Sequence, residues 1–277
     1  MGMGSVRPMT HSYRLSPDQF LEAIKSESAR FGQLLADADP ASRVPSCPDW
    51  DAADLLWHLT EVQWFWSTLV AERPRGPSVT EGRRPARPAG AAELSALFRW
   101  TSDGLVDALE SADDTEAAWT WLESDQTVGF IRRRQAHEVL IHRVDAEQVV
   151  GEVTALDPAL ATDGVDEAVQ IMFGGIPGWA SFRRDHGPVG IRTSDTAAHW
   201  VVDIGRQSGV EPESGEPVDE PTLAARDDDP AVVAELTGTA GNLDSWLWGR
   251  ADPGGIARTG DAAALTAFDA VIRTGID

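Results

Sequence analysis

Two histidines and one glutamate stand at positions from which they could bind a divalent metal together. His58 falls within a run of apolar residues that repeat every three or four positions, and Glu138 and His142 lie four residues apart in FIRRRQAHEVLIHRVDAEQVV. Residues four apart share one face of a helix, and apolar residues occupy the same face. A buried carboxylate without a partner is costly, and a metal ion would supply the compensating charge. The spacing therefore favours a metal site inside a helical core.

The ligand types indicate which metal such a site would hold. Two imidazole nitrogens and one carboxylate oxygen suit zinc, and three protein ligands leave the fourth position open, as catalytic zinc sites require. The same set could hold iron, manganese or nickel. The alternative is that Glu138 and His142 form an ordinary helix pair and that His58 is a core histidine with other partners. The residues alone leave both interpretations open.

A second histidine of the same segment does not belong to this set. HEVLIH is similar to the zincin signature but is one residue too long. His137 and His142 are five apart, about 140° around a helix, and cannot share a metal from one face. This argues against a metalloprotease and indicates a structural or flanking role for His137. Arg134, about 40° from Glu138, could reach the site or extend its charge to solvent.

The elements that would position these residues are helices. Ser16 and Pro17 mark a helix start, with a capping side chain followed by proline in the first turn. Residues 73–90, rich in Pro, Gly and Arg, form a surface connection. Four long segments with apolar residues at helical spacing predict an antiparallel bundle. They cover residues 17–38, 51–72, 91–110 and 127–150, and a fifth helix is predicted over 157–172.

The pattern changes after the glycine-rich segment at 174–178. Short runs typical of strands follow, with turn residues between them, and two short helices close the chain near 240–249 and 260–272. The runs are PVGIRTSD, HWVVDIG, TLAARDD and AVVAELTG. They predict a smaller α+β domain that begins between residues 176 and 188.

Composition limits the classes of partner. The chain has 277 residues, 42% of them apolar, and a net charge of -22. That charge argues against nucleic acid and membranes as partners, since phosphate binding needs clustered Lys and Arg. A single cysteine, Cys47, excludes an internal disulfide, and neither a membrane-spanning stretch nor a secretory signal is evident. We therefore expect a cytoplasmic monomer or small homo-oligomer.

Two motifs resemble a known family. VPSCPDWDAADLLWHL and RRQAHEVLIHRVDAE are similar to motifs of the mycothiol-dependent maleylpyruvate isomerase family, whose members are DinB-like four-helix metalloenzymes. TAAHWVVDIG, ELTGTAGNLDSWLWGR and the Gly260-Asp261 turn fit more loosely, so that the resemblance covers about residues 17–272. It implies a two-domain α+β chain. A DinB-like antiparallel four-helix bundle that binds metal would cover 14–175, and a sterol-carrier-like α+β domain 176–277.

The resemblance also assigns residues and a reaction. It implies zinc ligands at His58, Glu138 and His142, and an active-site arginine, matched to Arg250 in LWGR, that contacts substrate or thiol. Mycothiol would supply a thiolate that adds to an electron-poor cis double bond, which then rotates before elimination gives the trans product. The loop formed by CPDW in the first motif departs from many relatives at Asp49, where they have glycine. This difference and the Arg- and Pro-rich connection at 73–90, which could shape the pocket entrance differently, leave the choice of substrate open.

Three functions fit the sequence. The first is a zinc-dependent isomerase or S-transferase that activates a low-molecular-weight thiol towards a small electrophilic molecule. The second is a metalloenzyme that uses no thiol, such as an isomerase, cyclase or hydrolase acting through metal-bound water. The third is a non-catalytic protein whose C-terminal domain binds an apolar small molecule.

Overall fold

The computed structural model of the protein describes residues 13–276, which form two compact units. The first comprises Leu15–Ala155. The second begins at Leu156 and includes Tyr13 and Arg14 from the other end of the chain. The boundary predicted between residues 175 and 176 lies after the fifth helix, whereas the chain divides before that helix. Most of the segment inspected for a secretory signal lies outside the described residues.

The first unit contains the four predicted long helices. Each observed end lies within about two residues of the predicted one, the usual uncertainty of helix boundaries. The helices are α1 (Pro17–Asp37), α2 (Ala52–Glu72), α4 (Ala91–Glu110) and α5 (Val128–Val150). Smaller elements between them are a hairpin of β1 (Arg43–Val44) and β2 (Cys47–Asp51), and the short helix α3 (Ser78–Glu81).

Local chemistry explains where these helices begin and end. Ser16 and Asp51 cap α1 and α2 in reciprocal capping boxes with Gln19 and Asp54, which bond backbone N–H groups that a helix start leaves unpaired. Gly151 ends α5 in the left-handed conformation with φ of 80°. Glycine adopts that conformation without steric cost.

Contacts along the helices give their directions. Ser28 of α1 bonds Gln63 of α2, and the α1–α2 turn bonds Pro40 to Ala53, so these two helices are antiparallel. The α1–α4 pair is also antiparallel, because Lys25 meets Glu110 while Phe31 meets Phe98. In contrast, α1 and α5 run in the same direction, as the pairs Glu27–Arg143 and Arg30–Glu147 show.

The connection between α2 and α4 explains this mixed arrangement. Its arginines bind acidic residues progressively closer to the start of α2: Arg83 binds Glu72, Arg84 binds Glu61 and Arg87 binds Asp54. The connection therefore returns along α2 to the end where α2 began. The four long helices form a bundle as predicted, but successive helices do not simply alternate in direction. Instead, α4 runs parallel to α2, and α5 runs parallel to α1.

The second unit is an α+β domain, as predicted. It starts with α6 (Pro158–Glu167), which continues as a π-helical turn at Ala168–Met172. Strand order in its sheet is β3-β5-β4-β7-β8, with β6 also paired to β5. The strands are β3 (Ser181–Arg184), β4 (Val189–Thr193), β5 (His199–Val210), β6 (Pro217–Ala225), β7 (Ala234–Gly238) and β8 (Ala257–Gly260). The helices α7 (Ala240–Leu247) and α8 (Ala262–Ile272) complete it.

One buried cluster joins the layers of this second unit. Apolar side chains of the strands pack with Val165 of α6, Leu243 of α7 and Phe268 of α8. Trp200 of β5 lies in the cluster, and its indole N–H donates to Asp166 at 2.8 Å. Within the described part of the chain, no helix is both long enough and apolar enough to cross a membrane.

Candidate metal centre

Three side chains from α2 and α5 bring their ligand atoms together. Oε1 of Glu138 lies 3.4 Å from Nε2 of His58 and 3.3 Å from Nε2 of His142. One ligand atom from each residue lies within 4.8 Å of the other two. The side chains are 33%, 18% and 10% exposed for His58, Glu138 and His142. The residues selected by helical spacing are thus adjacent in space, in a site that retains limited access to solvent.

Trp50, the residue before the end of β2, lies against both histidines. Its ring centroid is 4.7 Å from that of His58 and 6.3 Å from that of His142. The hairpin that carries Trp50 leads directly into α2, because Asp51 is both the last residue of β2 and the cap of that helix. The CPDW motif therefore provides one wall of the site, while the helix that follows provides a ligand.

Asp145 fixes the orientation of His142. Its Oδ2 is 2.9 Å from Nδ1 of His142, and its Oδ1 accepts a hydrogen bond from the hydroxyl of Ser46. Asp145 is fully buried. A carboxylate on one imidazole nitrogen holds the proton there and leaves the other nitrogen to bind a metal. Nε2, which faces Glu138 and His58, is the nitrogen so presented.

Arg134 binds the other oxygen of Glu138. Its Nη2 donates to Oε2 of Glu138 at 2.6 Å, one helical turn away. Burial by itself raises the pKa of Glu138, but hydrogen bonds with His142 and His58 and the charge of Arg134 outweigh it and hold that pKa well below its usual value. Glu138 is therefore an ionised carboxylate with Oε1 directed towards both histidines. The geometry confirms that Arg134 reaches this site.

The residues present fit a divalent metal. In its absence, burial lowers the pKa of His142, but hydrogen bonds with Asp145 and Glu138 raise it to about 9. A proton on His142 thus balances the buried carboxylates in the metal-free protein. A metal would replace this proton as the positive charge, with two imidazole nitrogens and one carboxylate oxygen as its ligands.

Substituting Asp145 with asparagine should weaken metal binding without removing a ligand. Loss of the carboxylate reduces both the basicity and the orientation of His142, which typically lowers metal affinity by about 10–100-fold. Competition with a chromogenic chelator measures the change. Asp114→Asn is the matched control, because Asp114 pairs with Arg132 instead of a histidine. Equal zinc affinities for the two variants would contradict the role given to Asp145.

Zinc should stabilise the protein more as pH rises. With a pKa raised from 6.5 to about 9, protonated His142 contributes stability that is complete below pH 6.5 and lost as pH rises through 9. Glu138, with its lowered pKa, stays ionised over this interval. Zinc binds the neutral imidazole of His142. At high pH fewer protons compete for this imidazole, so zinc binds more tightly. The difference in Tm between zinc-loaded and zinc-free protein should increase from pH 6.5 to 9, and a constant or decreasing difference would contradict this assignment.

Two further residues singled out by the sequence make contacts of their own. His137 is fully buried, and its ring meets that of Phe20 edge to face at 6.0 Å, which is consistent with the structural role predicted for it. Arg250 follows α7 in the second unit, is half-buried, and donates from Nη1 to the carbonyl of Trp248 at 2.6 Å. Its assignment to the active site remains a prediction.

Three residues of the site are not among those that helical spacing selects. Ser46 and Trp50 belong to the hairpin of β1 and β2, in a segment of the sequence that shows no helical spacing. Asp145 gave a signal that could have been used, because seven residues after Glu138 it lies about 20° from it around the helix.

Comparison with known proteins supports the resemblance. Residues 21–147 match the family described as the mycothiol maleylpyruvate isomerase N-terminal domain. This match covers most of the first unit. No curated protein was found that matches the chain in sequence.

Two solved structures have the same fold. The crystal structure of the mycothiol-dependent maleylpyruvate isomerase has 13% identity and a TM-score of 0.60, covering 92% of this chain and 98% of that one. A mutant of that isomerase gives 12% identity and a TM-score of 0.59, covering 90% and 96%. The maleylpyruvate isomerase fold thus extends over both units, beyond the residues that match the family in sequence.

Proposed function

We propose that the protein is a metal-dependent enzyme that activates mycothiol or a similar thiol towards an electrophilic small molecule, as an isomerase or S-transferase. One observation carries the proposal: His58, Glu138 and His142 bring three ligand atoms within 4.8 Å of one another. The three residues lie within the segment that matches the mycothiol maleylpyruvate isomerase N-terminal domain. Zinc is the metal that this ligand set fits best.

Each residue has a defined part in the proposed site. Zinc held by three protein ligands keeps one position open, and a thiol that coordinates it is deprotonated outright. His58, Glu138 and His142 would hold the ion, while Asp145 orients His142 and Arg134 keeps Glu138 ionised. The ring of Trp50 lies against both histidines and would limit the access of water from that side.

The thiolate would react with an electron-poor double bond conjugated to a carbonyl group. A carbon–sulfur bond forms, and the electron pair of the double bond moves onto the carbonyl oxygen. The former double bond then rotates, and expulsion of the thiolate restores it in the trans form. If a proton is added to the carbon instead, the thioether remains and the reaction is an S-transfer.

Arg250 is proposed to bind a carboxylate of the substrate or thiol through its planar guanidinium group. Replacement by lysine keeps the charge but loses the paired hydrogen bonds. We expect Arg250→Lys to lower kcat/KM by about 10–100-fold, since hydrogen bonds to charged groups contribute about 1.5–3 kcal/mol. Zinc content should stay unchanged. Arg273→Lys, on an exposed arginine after α8, is the control, and equal kcat/KM values for both variants would remove Arg250 from the site.

Turnover of a cis-enone acid by the zinc-loaded protein, measured with and without mycothiol, tests the proposed function. We expect trans product or thioether only when thiol is present. Turnover without thiol would identify a metalloenzyme that uses water or the metal alone. A protein that binds zinc but turns over no electrophile at any thiol concentration would contradict the proposal.

A further inference from the structure

A cavity of about 520 Å³ lies beside His58 in the first unit. One side is formed by successive turns of α2, and the other by the connection that returns along that helix. Its lining residues are His58, Glu61, Val62, Trp64, Phe65, Trp66, Pro77, Thr80 and Arg84. A candidate metal ligand thus stands in the wall of the cavity, so a molecule bound there lies next to the proposed reaction centre.

Trp64, Phe65 and Trp66 give the cavity an aromatic surface on the α2 side, and ring packing holds Phe65 and Trp66 in place. The rings of Phe65 and Trp66 meet edge to face at 5.0 Å, and Trp119 lies 6.4 Å from each. Trp66 is only 7% exposed. These contacts fix the aromatic surface before any ligand binds, and rigid aromatic walls favour flat apolar groups.

The charged residues of the cavity neutralise each other. Arg84 forms an ion pair with Glu61, whose side chain is 15% exposed while that of Arg84 is 59% exposed. No other Lys, Arg, Asp or Glu lines the cavity among the described residues. The paired charges leave the cavity's own side chains without excess positive charge, so these side chains offer little attraction to a small dianion.

We propose that this cavity binds an aromatic or similarly bulky apolar part of the substrate, with the electrophilic end directed at His58. The volume lies within the range of about 300–1,000 Å³ typical of pockets for drug-sized ligands. A small dicarboxylate would fill only part of it and would leave the aromatic walls in water. The inference rests on the proposed function for the reaction, but the binding site itself can be tested without turnover.

Filling the cavity should abolish binding of an aromatic probe. The probe is 4-(naphthalen-2-yl)butan-2-one, a saturated aromatic ketone that cannot add a thiol, and binding is measured by calorimetry on the zinc-loaded protein. Val62, half-buried in the wall, is replaced by tryptophan. Val106→Trp is the matched control, because Val106 is also half-buried and lines a groove of about 570 Å³ formed by α1, α2 and α4 that lacks the metal ligands.

We expect Val62→Trp to raise the Kd of the probe at least tenfold and Val106→Trp to change it less than twofold. Both variants should retain full zinc content. Val62→Phe fills less of the cavity and should raise the Kd by an intermediate amount. This variant replaces Val62→Trp in the test if the tryptophan variant does not fold. Absence of probe binding to the parent protein, or equal effects of both tryptophan variants, would overturn the inference. If the probe bound but the protein showed no thiol-dependent turnover, the inference about the cavity would stand and the proposed function would be contradicted.

Discussion

Replacing His58 with alanine should remove the bound zinc and reduce thiol-dependent kcat/KM by at least about 1,000-fold. A zinc ion with only Glu138 and His142 as protein ligands lacks the third donor that such sites use. The loss should exceed the 10–100-fold typical of residues that only orient a ligand. Zinc content after dialysis, measured by elemental analysis, should fall from about one ion per chain to near zero.

His186→Ala is the control for this experiment. His186 lies in the second unit, where its backbone N–H donates to Ile204 at 3.2 Å. Its replacement should leave zinc content and turnover unchanged. If His58→Ala retained one zinc ion and full activity, the proposed metal centre and any chemistry based on it would be wrong.

Replacing Glu138 with glutamine should affect both metal binding and stability. Glutamine retains the shape of the side chain but loses the negative charge that pairs with Arg134 and with protonated His142. Removing one partner of a largely buried pair costs about 3–5 kcal/mol. Urea denaturation of the metal-free variant at pH 7 should show this loss in the free energy of unfolding, and zinc should no longer bind.

The same substitution at Glu72 provides a matched comparison. Glu72 pairs with Arg83 on the surface, where both side chains are more than 40% exposed. Water and salt screen such a pair, so its loss should leave the denaturation midpoint and zinc binding unchanged. An equally stable Glu138→Gln protein would show that the carboxylate does not balance buried positive charge as described.

The helices and the orientation of the ligands could be predicted from the sequence because both depend on local spacing. His58 lies on the apolar face of α2, and the four-residue step from Glu138 to His142 places both on one face of α5. Spacing alone could not show that the two faces meet. The family resemblance supplied that pairing, and the distances of 3.3–3.4 Å agree with it.

What the sequence did not predict depends on contacts between distant segments. Ser46 and Asp145 are 99 residues apart, and only the fold of the hairpin brings them together. The direction of α4 follows from the path of the 73–90 connection, which returns along α2 and has no periodic pattern of its own. Local spacing carries no information about either feature.

The sheet of the second unit gives a third example. The sequence places Pro217 and Pro221 among the turn residues between HWVVDIG and TLAARDD, but both lie in β6, whose one partner among the described strands is β5. An edge strand tolerates proline because one side of it needs no ladder hydrogen bonds. The strands β3 and β8 were also missed, since four residues each are too few to show alternation.

Absorption spectroscopy of the cobalt-substituted protein during titration with mycothiol tests the central proposal most directly. Cobalt(II) can replace zinc in such sites, and its absorption spectrum depends on the ligands that it binds. A sulfur-to-cobalt charge-transfer band should appear and saturate at one thiol per site, and it should be absent from His58→Ala protein. The protein should first be shown to hold one cobalt ion on His58, Glu138 and His142. If mycothiol then left its absorption spectrum unchanged, thiol activation at this centre would be contradicted.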